Sequence, residues 1–292
     1  MSRSLADESH RFLFEEADIR GESVRLGAAY REILAIHEYA PGVSRLLGEF
    51  LAAAVLLSNN LKFEGRLILQ ARSEGQVPLV MAECDHTLGV RGIARGAEEA
   101  TAGENALLLA GGQLVITIDP DKGQRYQGIV PIEGASLAAS IDAYFEQSEQ
   151  LKTRLWLAAD GESAGGLLLQ QLPAQLVPTP GPRANQWQHA CTLAETVEEK
   201  ELLTLNTQDL LNRLYQEDPV RMFDPAPLRF QCTCSRERTL AALSTIDPAE
   251  IEDILSEMGA VTMDCEFCQA RYVFRREDLE AVPGVDQSKT LH

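Results

Sequence analysis

Four of the six cysteines in this 292-residue chain lie near its C-terminal end in two closely spaced pairs. One residue separates Cys232 from Cys234, and two residues separate Cys265 from Cys268. Each pair supplies two thiolates from one tight turn, and a tetrahedral structural zinc site takes four such ligands. The spacing therefore predicts a zinc site formed by these four residues, in a module that begins at Cys232.

The segment between the two pairs carries helix start and stop signals. Asp247 and Pro248 suit the N-cap and the first helical position, and Gly259 suits the end of the helix. The alternating residues 270–274 predict a short strand. Because a module of about sixty residues has little core, and structural zinc contributes on the order of 10 kcal/mol or more to folding, we expect the metal to hold this module folded.

Two interpretations of the cysteine cluster are open from the residues alone. One is a plain structural zinc module, which is the commoner use of such pairs. The other is a redox switch, because a disulfide between Cys232 and Cys234 would be tightly constrained and therefore reversible. Oxidation would remove the metal ligands, and the module would then unfold.

Residues 11–172 predict an α+β core domain, because the hydrophobic period changes repeatedly between two and 3.6. Strands are predicted at 62–72, 113–119 and 126–132, and helices at 28–37, at 43–57 and from Ser136 onward. Four prolines between residues 173 and 183 are expected to prevent regular structure and to mark a boundary. The chain is therefore divided into a core domain (1–178), a helical linker (179–231) and a zinc module (232–292).

The linker is predicted to contain short, polar and marginally stable helices. Thr196 and Glu199 match a capping box, and Asn206 or Thr207 can cap a second helix. Since acidic residues crowd this segment, its helices should depend on docking a narrow apolar stripe. The leucines of that stripe, called the leucine stripe below, are Leu202, Leu203, Leu210, Leu211 and Leu214.

Charge and hydropathy argue against two classes of partner. Asp and Glu outnumber Lys and Arg by 44 to 26, a net charge of −18, which disfavours binding to nucleic acid. The longest unbroken apolar run, Phe50–Leu57, is far shorter than the roughly 20 residues of a membrane span, so no membrane partner is expected. The N-terminal residues do not resemble a secretory signal, which predicts a cytoplasmic protein.

The only enzyme motif is Gly-Glu-Ser-Ala-Gly at residues 161–165, which would make Ser163 the nucleophile of a serine hydrolase. A nucleophile elbow needs a helix after the serine, whereas strands are predicted on both sides, so we expect a hairpin turn and no enzyme. Cys84 and Cys191 stand alone in the sequence. Both are predicted to be small buried residues without a functional role.

The chain from Arg11 to at least Phe274 resembles the heat-shock protein 33 family of redox-regulated bacterial chaperones. The order of core, linker and zinc module fits that family, as do both cysteine pairs. Three further segments carry the resemblance: Tyr-Gln-Gly at 126–128, Tyr-Phe-x-x-Ser-Glu-Gln-Leu at 144–151, and Cys-Thr-Cys-Ser-Arg-Glu-Arg at 232–238.

The resemblance implies an ATP-independent holdase that is inactive while reduced and zinc-bound. It implies one zinc per chain on the four paired cysteines, and the disulfides Cys232–Cys234 and Cys265–Cys268 in the oxidised form. The active form would be a homodimer that binds unfolding client proteins, with the released leucine stripe as part of the client surface. A constitutive zinc-containing interaction protein is the alternative.

Overall fold

The computed structural model describes residues 6–59, 64–101, 103, 105–132, 136–149, 151–243 and 245–280. They form mixed helices and sheets, which confirms the predicted α+β class. The chain divides into two compact units, Met1–Gln231 and Cys232–His292. The predicted core and linker both lie in the first unit, and the boundary between them at residue 178 stays a prediction.

The strands of the N-terminal unit build two sheets. In chain order they are β1 (Glu8–Phe14), β2 (Ile19–Leu26), β3 (Gly65–Arg72), β4 (Leu79–Asp85), β5 (Gly89–Arg95), β6 (Gln113–Pro120), β7 (Tyr126–Pro131), β8 (Thr153–Ala159), β9 (Ala164–Gln171), β10 (Val220–Met222), β11 (Ala226–Pro227) and β12 (Arg229–Phe230). Sheet A has the order β10-β1-β2-β9-β8, with β11 also paired to β1, and sheet B has the order β12-β5-β4-β3-β6-β7. The predicted hairpin after residue 113 is formed by β6 and β7.

The helices of the same unit are α1 (Ala28–Leu34), α2 (Pro41–Ser58), α3 (Asn105–Leu108), α4 (Leu137–Tyr144), α5 (Pro180–Ala194), α6 (Glu199–Thr204) and α7 (Thr207–Tyr215). A π-helical turn, Phe145–Glu149, continues α4. Ser136 caps α4 as predicted, because its side chain accepts a hydrogen bond from the N–H of Ala139. Asn206 caps α7 in the same way through the N–H of Asp209.

Helix α2 is the centre of the main core. It packs against strands of both sheets, and nearly all of its side chains are buried, including Leu46, Leu47 and Phe50 at 0% exposure. Among the described residues it is also the one helix long and apolar enough to cross a membrane, yet 78% of it is buried inside the unit. That burial is the pattern of a core helix in a folded domain, as its apolar sequence predicted.

Two details of the linker prediction are wrong. Helix α5 begins inside the proline-rich stretch, at Pro180, because proline is accepted in the first helical turn, where its missing N–H costs nothing. The capping box of α6 is not formed by Thr196 and Glu199. Glu198 is the N-cap, and it exchanges hydrogen bonds with the third helical residue, Glu201.

Asp18 fixes the segment just before the linker, together with the first linker helix, to the core. Its buried carboxylate accepts hydrogen bonds from the backbone N–H groups of Gln175, Leu176 and Val177 at 2.9–3.1 Å, and Arg183 of α5 lies 3.4 Å away. Burial alone would raise the pKa of Asp18, but these four donors hold it below its ordinary value. The chain between β9 and α5 is thus held by one charged group.

The last residues before the first cysteine are extended rather than helical. β10 and β11 pair antiparallel with β1, and β12 pairs in parallel with β5. We call residues 220–230 the strap. The strap joins the edge of sheet A to the edge of sheet B immediately before Cys232.

The C-terminal unit is small. Its elements are α8 (Arg236–Leu243), α9 (Pro248–Met258), β13 (Val261–Asp264), β14 (Arg271–Phe274) and α10 (Arg276–Glu280). Asp247 caps α9, Pro248 is its first residue and Gly259 ends it in the left-handed conformation, all as predicted. Over its described part, the buried hydrophobic residues are Leu243, Leu255, Val261 and Phe274. So small a core contributes little to the stability of the unit.

Glu22 is an acidic residue buried in the N-terminal unit. It lies on β2 at 1% exposure and accepts hydrogen bonds from Ser9 and from Asn59, at the end of α2. Burial disfavours the carboxylate and raises its pKa from 4.5 to about 7, even though both hydrogen bonds act in the opposite direction. The folded protein therefore keeps this proton at a pH at which the unfolded chain has released it.

This residue makes stability depend on pH. Between pH 4.5 and 7 the free energy of unfolding should fall by about 3 kcal/mol on account of Glu22, because only the unfolded state ionises there. Glu22→Gln removes that contribution. In urea titrations we expect the variant to match the parent near pH 5 and to exceed it at pH 8. Equal stabilities at pH 8 would contradict the raised pKa.

Candidate metal centre

The four paired cysteines converge in the C-terminal unit. Their Sγ atoms all lie within 4.8 Å of one another, and each side chain is partly exposed. The Sγ atoms of Cys232 and Cys265 are 3.7 Å apart, and those of Cys234 and Cys268 are 3.4 Å apart. A zinc ion with four sulfur ligands at about 2.3 Å places neighbouring sulfurs about 3.8 Å apart. The cluster therefore has the donor set and the dimensions to hold a metal ion.

The first pair is positioned by the start of α8. The N–H of Arg238 donates to the hydroxyl of Ser235, which directly follows the pair. The guanidinium of Arg238 donates to the carbonyl of Thr233, between the two cysteines, at 2.8 Å. A loop of three residues is thereby fixed by the first turn of the helix that follows it.

The second pair lies in the turn of the β13–β14 hairpin. The N–H groups of Cys268 and Gln269 both donate to the carbonyl of Cys265, at 3.3 and 2.6 Å. Strand pairing of Asp264 with Arg271 closes the hairpin on either side of the turn. This geometry points both thiols of the turn to the same side, toward the first pair.

The thiols differ in how readily they ionise. Burial opposes ionisation of Cys234, but hydrogen bonds, first that of the Tyr272 hydroxyl at 3.1 Å, lower its pKa to about 7. Burial raises the pKa of Cys265 and of Cys268, and the neighbouring thiols add to the rise at Cys268. A second thiolate would face the charge of the first, so a divalent cation is what allows all four to be charged together.

The backbone of the second turn is strained at one residue. Gln269 has φ = 56°, in the left-handed region that costs a residue with a side chain about 1 kcal/mol or more. This conformation follows Cys268 directly and turns the chain into β14. The unit thus carries local strain next to one of its candidate ligands.

The linker leucines lie in the N-terminal unit, where α5, α6 and α7 pack on one face of sheet A. Of the leucine stripe, Leu202, Leu210, Leu211 and Leu214 are buried, and Leu203 is partly buried. Buried residues of these helices pack against buried residues of sheet A and of the turn between β1 and β2. We call this set the docking cluster: Phe12, Phe14, Ala17, Ile19, Ala158, Leu167, Leu169, Trp187, Ala190, Cys191, Ala194, Leu202, Leu210, Leu211, Leu214 and Tyr215. The predicted stripe is therefore docked.

The motif around Ser163 is a hairpin turn, as predicted. It connects β8 to β9, and the carboxylate of Asp160 accepts hydrogen bonds from the N–H groups of Glu162 and Ser163. Gly161 has φ = 93°, which the turn requires. Gly165 lies against the carbonyl of Leu202, where a Cβ atom would come within 2.7 Å, so this glycine allows α6 to approach the sheet.

Cys84 and Cys191 lie outside the cluster. Cys84 is in β4 and Cys191 is in α5, and both are buried as predicted. Burial raises the pKa of each thiol to about 12, which keeps both protonated and unreactive in the folded protein.

A sequence model of the family described as Hsp33 protein matches residues 7–275. The chain belongs to the Hsp33 family. Among its relatives, the 33 kDa chaperonin of Pseudomonas paraeruginosa is 52% identical over 279 residues, 94% of each chain. That of Azotobacter vinelandii is 51% identical over 276 residues, 94% of this chain and 93% of the relative. These names identify the Hsp33 family as a family of chaperones rather than of enzymes.

The fold agrees with this assignment. The crystal structure of the 33 kDa chaperonin (heat shock protein 33 homolog) from Thermotoga maritima superimposes with a TM-score of 0.78. It is 21% identical in sequence, and the match covers 94% of this chain and 97% of that one. The resemblance to the Hsp33 family found in the sequence is confirmed.

Sequence reasoning missed three residues of the Hsp33 cysteine cluster: Arg238, Gln269 and Tyr272. Arg238 and Gln269 act through the backbone conformation of their turns, which no pattern in the sequence predicted. A signal for Tyr272 was present. It lies two residues before the buried Phe274 in the predicted strand 270–274, and alternation places both on the same inward face.

The strain at Gln269 predicts a stabilising substitution. Gln269→Gly should raise the stability of the C-terminal unit by up to about 1 kcal/mol, because glycine adopts this φ without a steric penalty. The measurement is the urea midpoint for loss of metal from the full-length zinc-loaded protein. Ala270→Gly, at the next residue and with an ordinary φ, is the matched control and should lower the midpoint or leave it unchanged. A lower midpoint for Gln269→Gly would show that its side chain matters more than the strain.

Proposed function

We propose that this protein is a redox-regulated, ATP-independent holdase. Reduced and zinc-bound, it is inactive, and oxidation of its thiols releases the metal and enables it to bind unfolding proteins. The observation that carries the proposal is the convergence of four reduced thiols in a unit with a very small hydrophobic core. Membership of a chaperone family supports the same conclusion.

We propose Cys232, Cys234, Cys265 and Cys268 as the ligands of one zinc ion per chain. The S···S distances of 3.4 and 3.7 Å between the pairs support this ligand set. Zinc, when bound, would supply folding free energy on the order of 10 kcal/mol or more. The four thiolates tie the loop before α8 to the β13–β14 turn, which the small core alone would hold weakly.

The proposed oxidation is a two-electron reaction at each pair. A thiolate sulfur attacks a peroxide oxygen, an S–O bond forms as the O–O bond breaks, and hydroxide leaves and is protonated to water. The second thiol then displaces water from the sulfenic acid and forms the disulfide. Reduced thiols are the normal state of cysteines in the cytoplasm, where we place the resting protein.

We propose the disulfides Cys232–Cys234 and Cys265–Cys268. In the reduced cluster, both short S···S distances join thiols of different pairs, so folded geometry alone does not favour this pairing. Oxidation of one pair would remove two ligands and unfold the unit. Chain connectivity then keeps only the members of each pair in contact.

The linker supplies the change from an inactive to an active form. Outside their leucines, helices α6 and α7 carry mostly polar and charged residues, and they hold their place by burying leucines in the docking cluster. Undocking would expose that apolar surface, which is what a holdase offers to unfolding proteins. The strap lies between α7 and Cys232, so unfolding of the C-terminal unit would leave its edge-strand pairing next to an unfolded chain. Dimerisation of the oxidised form stays a prediction.

One experiment tests the proposal. Bound zinc and suppression of aggregation of a thermally unfolding client are measured in the same full-length sample before and after hydrogen peroxide. We expect one zinc per reduced chain, its release by peroxide, and a gain of suppression. Cys265→Ser should lack zinc even when reduced, whereas Cys84→Ser, the matched control in the N-terminal unit, should keep it.

Two outcomes would contradict the proposal. Zinc retained under peroxide would favour the constitutive interaction module. A dominant non-reducing peptide that joins residue 232 or 234 to residue 265 or 268 would refute the disulfide pairing.

A second prediction concerns the linker. Leu211 is 5% exposed in the docking cluster, and Leu211→Asp should weaken docking by about 2 kcal/mol or more, since it removes a buried side chain and places a charge there. We expect faster amide exchange across residues 195–215 and aggregation suppression by the reduced, zinc-loaded variant. Asn212→Asp adds the same charge on the exposed side of α7 and should resemble the parent. Parent-like exchange in Leu211→Asp would show that docking does not depend on this leucine.

A further inference from the structure

One contact of the thiol cluster comes from a side-chain hydroxyl. Tyr272 of β14 donates a hydrogen bond to the Sγ atom of Cys234 at 3.1 Å. Its strand places it opposite Met263 and two residues before Phe274, which is fully buried. The guanidinium of Arg236 lies over the Phe274 ring at 4.5 Å from its centroid. The hairpin therefore fixes the tyrosine at the cluster.

The hydrogen-bond donors to the second cysteine pair come from the backbone. Cys265 and Cys268 receive hydrogen bonds from the backbone N–H groups of Phe267 and Ala270, which belong to the turn itself. No side-chain substitution removes these backbone donors. The hydrogen bond to Cys234, in contrast, depends on a single hydroxyl oxygen, and replacing tyrosine by phenylalanine removes it while keeping the ring.

A hydrogen bond to a thiolate lowers its reactivity as a nucleophile. The donor stabilises the negative charge on sulfur, and that charge is lost when the lone pair forms a new bond. The hydroxyl of Tyr272 is suited to this role because it lies within hydrogen-bonding distance of the sulfur and carries a proton to donate.

We propose that Tyr272 is a positioning residue that restrains Cys234 and so sets how fast peroxides oxidise the first cysteine pair. In the restrained step, the Cys234 thiolate attacks a peroxide oxygen. The S–O bond forms while the O–O bond breaks, and the departing hydroxide takes a proton to become water. The hydrogen bond of Tyr272 must weaken as the sulfur charge is lost, which slows that step. This inference rests on the proposed function.

The test compares Tyr272→Phe with the parent, both full-length and zinc-loaded. Sulfenic acid formed by hydrogen peroxide is trapped with dimedone, and the peptides that contain Cys234 and Cys268 are quantified over time. We expect labelling at Cys234 to become about tenfold faster, the effect of losing a hydrogen bond to a charged acceptor. Labelling at Cys268, whose donor is a backbone N–H, should change much less.

Two controls separate this role from a loosening of the hairpin. Arg271→Gln removes the exposed ion pair with Asp264 from the same strands without touching a thiol. Tyr126→Phe removes a tyrosine hydroxyl from the N-terminal unit. Both should be oxidised at Cys234 at the parental rate.

A spectroscopic measurement distinguishes an electronic effect on the Cys234 sulfur from a loosening of the hairpin. In the cobalt(II)-substituted protein, the sulfur-to-cobalt charge-transfer band should shift to longer wavelength in Tyr272→Phe, because the sulfur lone pair is no longer stabilised. Arg271→Gln should leave the band in place. A faster oxidation shared by Tyr272→Phe and Arg271→Gln, with no band shift, would mean that the tyrosine only stiffens the hairpin and would overturn the inference.

The remaining outcomes separate this inference from the proposed function. If the parent releases zinc under peroxide and Tyr272→Phe is oxidised at the same rate, the inference fails while the proposed function stands. If neither protein is oxidised or loses zinc, both fail.

Discussion

The mutual repulsion of four closely spaced thiolates is the constraint on which the C-terminal unit depends. Their sulfur atoms lie within 4.8 Å of one another. Hydrogen bonds lower the pKa of Cys234 despite its burial, whereas burial raises the pKa of Cys265 and of Cys268. A divalent cation reverses this balance and turns the repulsion into attraction. Because the buried core in the described part of the unit is so small, the proposed zinc site would contribute most of the free energy that keeps the unit folded.

The N-terminal unit is stabilised in a different way. Helix α2 is buried between strands of both sheets and forms a large hydrophobic core with them. The linker helices belong to the same unit and pack on it through their buried leucines, while their outer surface is polar. This arrangement suits the switch that we propose, in which the linker would undock while the core stays folded.

Charged side chains hold the linker at several places. Asp18 fixes the chain before α5, and Arg25 donates to the carbonyl of Leu205, at the end of α6, at 2.6 Å. Arg154 of β8 bridges Asp142 of α4 and Glu195 at the end of α5. Through Arg183, Leu205 and Glu195, these contacts tie three points of the linker to the core. They add specificity to the docking, while the buried apolar area supplies the driving force.

The sequence by itself determined the parts that depend on local spacing. The cysteine pairs, the caps at Ser136, Asn206 and Asp247, the buried character of α2 and the leucine stripe all follow from residues close together in the chain. The start of a helix misled the prediction twice. The prolines before α5 were expected to exclude a helix although proline is accepted in the first turn, and the N-cap of α6 is Glu198 rather than Thr196.

Only the tertiary structure decided which distant groups meet. The strap pairs with β1 and β5 through backbone atoms, which carry no sequence signal. Tyr272 reaches Cys234 because a hairpin and a loop, joined by a helical segment, close on the same point. Asp18 is hydrogen-bonded to residues 175–177 although more than 150 residues separate them in the sequence. Local patterns fix which elements form, but the pairing of elements far apart in the chain is set by packing and by hydrogen bonds between them.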